Sequence, residues 1–312
     1  MLIDSKERLW LLWPTIQANL WESALMNYKI SSDYQTPETA PKWQIEKVLH
    51  VKPGPAFSEL VRTKTADYLS HKQIAPGSIE WAANNFQQAD DKLTRRLGWF
   101  TRAHPYVTNE GRMLVGLYSD GFSFSLVAFT DDLGKSWNVS EPIVGGGNIQ
   151  PSFAQASNGS IVAYMRDNGP APKRVHVSES ADQGETWSMV YDHPELANPG
   201  AGLELMKLND GRFLTIYNDT ESGRHRLAVS ISDDEGQSYP VTRYLENRNE
   251  GEGAFHYPSI IQGKDGILHA TYSYFVPAAN GKGQVKSIKY ASFDTDWIES
   301  GTSESSKKER SH

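Results

Sequence analysis

The chain has 312 residues, of which 31 are Lys or Arg and 38 Asp or Glu, giving a formal net charge of −7. That balance argues against the basic stripe a nucleic-acid partner requires, and no apolar run approaches the roughly 18 residues of a membrane-spanning helix. The absence of cysteine excludes disulfides, thiolate chemistry and Cys-ligated metal, and nothing in the sequence calls for a metal or cofactor.

In chain order, Met1-Leu2-Ile3-Asp4-Ser5-Lys6-Glu7 is no signal peptide, because charge follows at once with no apolar core. Aligned with Ser259 to Leu268, it puts Met1 inside an innermost strand. The chain therefore reads as clipped at its N-terminus by about one blade of about 45 residues, which is compatible with a secreted or periplasmic protein. A small propeller closed unusually is the alternative. Ser31-Ser32-Asp33 runs through an insertion to Trp43. Residues 45 to 100 then interrupt the pattern: Pro53-Gly54-Pro55 breaks it, and Phe57, Leu60, Val61, Ala66 and Leu69 fall near helical spacing. This insertion is too short and too polar to hold its own core.

Beyond it a repeat takes over. Turn glycines close Asn109-Glu110-Gly111, Ser157-Asn158-Gly159, Asn209-Asp210-Gly211 and Lys264-Asp265-Gly266, in steps of 48, 52 and 55 residues. Three apolar runs (Ser125 to Phe129, Arg174 to Ser178, Arg226 to Ser230) each lead into one motif. Its copies are Thr130-Asp131-Asp132-Leu133-Gly134-Lys135-Ser136-Trp137, Ser180-Ala181-Asp182-Gln183-Gly184-Glu185-Thr186-Trp187 and Ser232-Asp233-Asp234-Glu235-Gly236-Gln237-Ser238-Tyr239. The Asp can accept backbone N–H bonds, the Gly can take φ > 0, and the aromatic can plug the seam to a neighbouring unit. Ser292-Phe293-Asp294 to Trp297 is a degenerate copy. Self-similarity at this period, all strand, predicts an all-β chain folded as a β-propeller with five blades visible and an incomplete N-terminal blade. Residues 1–298 form one such domain, and 299–312 a polar, disordered tail.

A blade is a four-stranded meander, so the 1–2 and 3–4 turns share one end and the 2–3 loops and blade links share the other. The turn glycines and boxes are thereby structural. The opposite end receives innermost-strand starts (Arg102, His104, Gln150, Glu204, His256, Tyr257), second-strand ends (Tyr118, Arg166, Asn218, Tyr274) and 2–3 loops (Lys173, Arg174, Arg224, His225, Arg226). The first blade adds Gln17, Asn19, Trp21 and Glu22. Arg, His, Tyr, Glu and Asn where strands should bury apolar groups make a pocket for a polyhydroxylated anionic ligand. The plain alternatives stand beside this. Asp120, Asp167 and Asp219 read as turn caps, His104 and His256 can each bond a carbonyl, and Arg166 can pair with Glu204 or an Asp.

At these residues the chain resembles the sialidase (neuraminidase) superfamily, in its bacterial branch of six-bladed propellers with Asp-box (BNR) repeats. The resemblance implies a glycoside hydrolase that clamps a sugar carboxylate with arginines, attacks with a Tyr polarised by a Glu, and protonates the leaving oxygen with an Asp. Arg166 matches a position from which sialidases extend an arginine, whereas the next equivalent is Asn218. Gly202-Leu203-Glu204-Leu205-Met206 looks like the strand bearing the Glu, and Tyr257 or Tyr274 is the implied nucleophile. An N-terminal arginine and the acid Asp find no match. Three readings stay open: a sialidase-like exo-glycoside hydrolase on an acidic sugar, with Tyr257, Glu204, Tyr274, His104 and His256 catalytic and Arg166, Arg102, Gln150, Tyr118, Asn218 and Arg224 binding; a β-propeller lyase on uronic-acid polymers using a His/Tyr pair; and a non-catalytic carbohydrate-binding propeller.

Overall fold

A computed structural model describes residues 1–36, 38–71, 76–279 and 282–301. Five antiparallel sheets follow one another along the chain. The first contains β1 (Leu2–Ile3), β2 (Leu9–Thr15), β3 (Leu25–Ser31) and β4 (Ile45–Leu49). Helices α1 (Phe57–His71) and α2 (Ser78–Asp90) come next. The second sheet is β5 (Tyr106–Val107), β6 (Met113–Ser119), β7 (Phe124–Thr130) and β8 (Asn138–Val139). The third is β9 (Asn148–Gln155), β10 (Ile161–Asp167), β11 (Arg174–Ser180) and β12 (Tyr191–Ala197), and the fourth β13 (Glu204–Lys207), β14 (Phe213–Tyr217), β15 (Arg226–Ser232) and β16 (Val241–Asn247). The fifth holds three strands, β17 (Ala254–Gln262), β18 (Leu268–Pro277) and β19 (Gln284–Phe293), before helix α3 (Thr295–Ser300). Every sheet is an up-and-down meander in chain order, the arrangement of five β-propeller blades.

The described chain divides into two compact units. The first comprises Met1–Pro151, Ser157–Val162 and Ser178–Tyr191; the second comprises Ser152–Ala156, Ala163–Val177 and the chain from Asp192 on. The first unit's core gathers Trp10, Tyr28, Met113, Val115, Phe124 and Leu126, and the second's gathers Ile216, Val229, Phe255, Leu268 and Tyr272.

The boxes form as their chemistry predicts. In each, the first Ser or Thr hydroxyl accepts the Gly N–H: Thr130 Oγ1 from Gly134 at 2.9 Å, Ser180 from Gly184 and Ser232 from Gly236 at 2.8 Å. Each Asp then accepts the backbone N–H four residues on (Ser136, Thr186, Ser238) and that residue's hydroxyl at 2.6 Å. The box glycines lie at φ +82 to +90 and come close to the preceding blade. A Cβ on Gly134 would overlap the Trp10 ring, and one on Gly236 the Tyr164 hydroxyl. Only glycine meets both demands.

Two expectations are corrected. The interruption starts after Leu49, since Ile45–Leu49 is the fourth strand of the first sheet. Glu299 and Ser300 belong to α3, where Glu299 pairs with Arg212 at 2.7 Å, rather than to a tail; the expected tail from 302 on lies outside the described residues. The insertion's helices have a definite seat. The buried face of α1 is Phe57, Val61 and Thr65 at i, i+4 and i+8, while Ala66 of the expected apolar set is exposed. Phe57 packs edge-on against Trp99 and Phe122. Trp81, Asn85 and Gln88 of α2 donate to the carbonyls of Phe122 and Gly121, which covers the 2–3 loop of the second sheet.

Candidate functional site

The two ends of a blade separate as the meander requires. In the first unit Arg112, next to turn glycine Gly111, pairs with Asp131 of one box at 2.7 Å and Glu185 of the next at 2.9 Å. In the second, Arg212, next to Gly211, approaches Asp233 at 3.8 Å. Turns and boxes thus share one end within each unit, and the 2–3 loops and blade links lie at the other.

The second unit brings a group of candidate residues together there. Loop 219–225 meets the start of β17, where the Phe255 N–H donates to the Arg224 carbonyl at 2.8 Å. Arg224 also donates from Nη2 to the Gly200 carbonyl at 2.9 Å. Its guanidinium carbon then lies 5.6 Å from the centroid of the Tyr257 ring. Tyr257 packs edge-on against His256 at 5.3 Å and is 43 % exposed. Its φ is +52, and the β17–β18 register shifts between His256 and Ser259. A bulge of this kind turns a side chain out of the pleat, and holding a non-glycine residue at positive φ costs about 1–3 kcal/mol that the surrounding structure must offset.

His256 is 9 % exposed, packs against Phe275 at 4.7 Å, and keeps Nδ1 buried without a hydrogen-bond partner. Burial, and then the nearby Arg224 charge, push its pKa down to about 4. At neutral pH it is an uncharged imidazole able to accept a proton.

The other candidates sit in more committed surroundings. Glu204 is 3 % exposed and accepts the Ile260 N–H at 2.9 Å, three residues beyond Tyr257. The Tyr274 hydroxyl accepts from Arg248 at 2.9 Å, and Lys289 lies over its ring. Arg248 was missed from sequence, although it sits on a blade link, which the same placement rule would have found. Arg166 donates to Asn168 at 3.1 Å and keeps a buried Nε without a partner. Asn218, expected to bind ligand, keeps a buried Oδ1 without a partner. It is fully buried, and its Nδ2 donates to the Arg226 and Phe255 carbonyls, both at 2.7 Å, so it ties β14 to β15 and β17. Asp167 is a turn cap, accepting Gly169 and Arg174 N–H groups, and Asp219 accepts the Tyr244 hydroxyl at 2.6 Å. His176 stands beside Asp167 and Asp192, at 3.6 and 3.4 Å, in a buried cluster that sequence reasoning did not single out.

In the first unit Gln150, at φ +61, donates to the Tyr118 hydroxyl at 3.2 Å. Tyr118 packs on Phe100 at 4.3 Å, and the exposed Trp21 stacks on the same Phe100 at 5.2 Å. Arg102 and His104 are half-buried on the segment leading to β5.

Comparison with known proteins follows this geometry. A segment of 103 residues is 29 % identical to an anhydrosialidase of Macrobdella decora, covering 32 % of this chain and 13 % of that protein. Among solved structures, the intramolecular trans-sialidase of Ruminococcus gnavus superposes with a TM-score of 0.61 at 17 % identity, covering 89 % of this chain and 52 % of that one. A sialidase of Streptococcus pneumoniae does so at 0.60 and 14 % identity, covering 88 % and 36 %. The chain spans about half the length of the first of these structures and less of the others. Such likeness establishes the sialidase-type propeller fold. The BNR repeat-like domain matches residues 1–270, and with its box turns in register in successive sheets the chain belongs to that family.

Proposed function

We propose that the chain is a sialidase-like glycoside hydrolase acting on an acidic sugar, with Arg224, Tyr257 and His256 at the centre of its site. The observation that carries this reading is the cluster itself: an exposed phenol on a strained bulge, under a guanidinium and against a neutral imidazole. Arg224 supplies the positive charge that an acidic sugar's carboxylate needs. The Tyr257 oxygen bonds the anomeric carbon as the glycosidic C–O bond breaks. His256 carries the phenolic proton to the leaving oxygen, and water then splits the tyrosyl–sugar bond and restores the phenol. Glu204, anchored on the Ile260 N–H, is the carboxylate partner of this strand, and Arg166 a second cation for the ligand. Tyr274, held by Arg248, is the competing nucleophile. Within the first unit, taken by itself, His104 stays a proposed catalytic residue and Arg102, Gln150 and Tyr118 proposed ligand-binding ones.

The test is trapping with a fluorinated, activated acidic sugar followed by peptide mass spectrometry. A label on Tyr257 is expected, and one on Tyr274 would transfer the role. An unlabelled protein that still hydrolyses the parent sugar would sink the tyrosyl mechanism. One observation favours a second reading: a neutral His beside a Tyr under an Arg also suits β-elimination from a uronate. There the base removes the proton α to the carboxylate and the acid protonates the leaving oxygen. Ultraviolet absorbance of an unsaturated product would select that reading, and its absence during turnover would exclude it.

A further inference from the structure

A cleft of about 390 Å³ opens at the box end of the first sheet, within the first unit, lined by Lys6, Arg8, Tyr28, Ile30, Ile45, Lys47, Lys135 and the turn Asp131 to Gly134. It shares no residue with the cluster described above. Its charges are unevenly committed. Arg8 is paired with Asp4 at 2.6 Å, and Asp131 is held by Arg112 through two bonds of 2.7 and 3.0 Å. Asp132 is saturated by Ser136 and Thr130. Among the described residues Lys6, Lys47 and Lys135 have no ion pair. A chain of net charge −7 thus gathers three uncommitted ammonium groups around one concave surface.

The floor restricts what can enter. Tyr28 and Ile30 are sealed, the Tyr28 hydroxyl donating to the Gly134 carbonyl at 3.1 Å. No aromatic face is left for a base to stack on, which disfavours nucleotides. Ile45 and Leu133 are half-buried, so C–H surface alternates with ammonium groups. That pattern, at a volume in the range of small-molecule sites, fits a sugar whose ring carbons contact the floor while its anionic substituents reach the rim. An inorganic anion would leave most of the space unfilled.

We propose that this cleft binds an anionic saccharide carrying two or more sulfates or carboxylates, as a site distinct in its residues from the Arg224–His256–Tyr257 cluster. The probe is a trisulfated heparin disaccharide, titrated calorimetrically against the full chain, with inorganic sulfate and a neutral disaccharide as separate arms. Binding should weaken as salt rises from about 50 to about 200 mM. The triple variant Lys6→Gln, Lys47→Gln, Lys135→Gln should weaken it by about tenfold or more. A control triple that removes the same charge elsewhere, Lys52→Gln, Lys92→Gln, Lys264→Gln, should stay within about twofold, both triples being measured in an Arg224→Ala background so that the Arg224–Tyr257 cluster does not contribute. All six lysines are surface groups, so folding is checked simply by circular dichroism. Equal weakening in both triples, inorganic sulfate binding as tightly as the disaccharide, a neutral disaccharide binding equally well, or no binding of the sulfated probe would each overturn the proposal.

Discussion

The two ends of these blades handle polar groups in opposite ways. At the box turns every carboxylate of the motif is saturated: Asp182 accepts from Ser180, from the Glu185 and Thr186 N–H groups and from the Thr186 hydroxyl. Positive φ there falls on glycine and on the residue before it, such as Gln183 at +62. At the box turns the unpartnered atoms, such as Gln183 Oε1 and Trp137 Nε1, lie outside the carboxylates, whereas at the loop ends the candidate residues themselves keep buried polar atoms without a partner: Gln150 Oε1 in the first unit, and Arg166 Nε, Asn218 Oδ1 and His256 Nδ1 in the second. Positive φ there falls on Gln150 and Tyr257, each directly before a proline. Buried polar groups are normally satisfied. One end of the meander is therefore organised for stability, and the other keeps bonding capacity in reserve, as a ligand site requires.

The contrast breaks most sharply at a box glycine. Gly134→Ala must accept both φ +82 and overlap with the Trp10 ring, and should cost about 3 kcal/mol or more. Gly159→Ala has a similar φ of +90 but nothing within 4 Å of the new Cβ, so about 1 kcal/mol is expected. Urea midpoints measure both. Equal losses would show that backbone strain alone, without the seam contact, fixes the box.

His256 tests the opposite end. Its folded pKa of about 4 lies below the ordinary histidine value of 6.5, so between those values the unfolded chain holds a proton that the folded chain lacks. Stability should therefore fall as pH drops from about 6.5 to about 4 and level off below that, by at most about 2–3 kcal/mol. His256→Gln should flatten this limb while abolishing turnover of the acidic sugar. A limb unchanged by the substitution would mean that His256 titrates normally.

The comparison also separates what could be read in the sequence from what could not. Each box is built from bonds spanning two to four residues, as in Thr130, Asp132, Gly134 and Ser136, so its signature survives in a linear string. Loop-end geometry is non-local. Asn218 bonds Phe255, 37 positions away, and Arg224 reaches the Gly200 carbonyl 24 positions back. The sequence rule put Asn218, at a strand end, and Arg224, on a 2–3 loop, at the same end of the blade. It could not distinguish an amide whose Nδ2 is held by two neighbouring carbonyls from a guanidinium over an exposed ring, because that depends on which strand supplies the partner. The helical insertion shows the same limit: Phe57 and Val61 fit a helical period, but their seat against Phe122 was not encoded locally.

Within the boxes, Asp182→Ala removes four accepted bonds from an exposed turn. Water replaces much of that solvation, so the expected loss is about 1–2 kcal/mol, with turnover per folded molecule unchanged. A stable variant without activity would reverse the assignment of the two ends. Arg224→Ala is the counterpart: stability should hold while affinity for an acidic sugar falls by about 1.5–3 kcal/mol, read by calorimetry. A large stability loss with unaltered affinity would return Arg224 to the scaffold.

The smallest expected effect is the acid limb of the boxes. Donated hydrogen bonds, first those of the Ser136 and Ser238 hydroxyls, hold Asp132 and Asp234 at about 2, below the ordinary value of 3.8. Their folded pKa is depressed, so the stability they confer is complete above about 3.8 and is lost as pH falls through about 2. Both carboxylates sit in exposed turns, where solvent and salt screen the gain. This limb should therefore be shallower than the His256 limb and lie wholly below it in pH. Ser136→Ala and Ser238→Ala each remove the strongest donor, so they should raise the onset of acid unfolding while leaving the limb between about 6.5 and about 4 untouched. The measurement is a pH series of urea midpoints for the parent and both variants. If the serine variants altered the upper limb instead, the two ends of the blades would be electrostatically coupled, and the division of labour between saturated turns and reserved loop ends would fail.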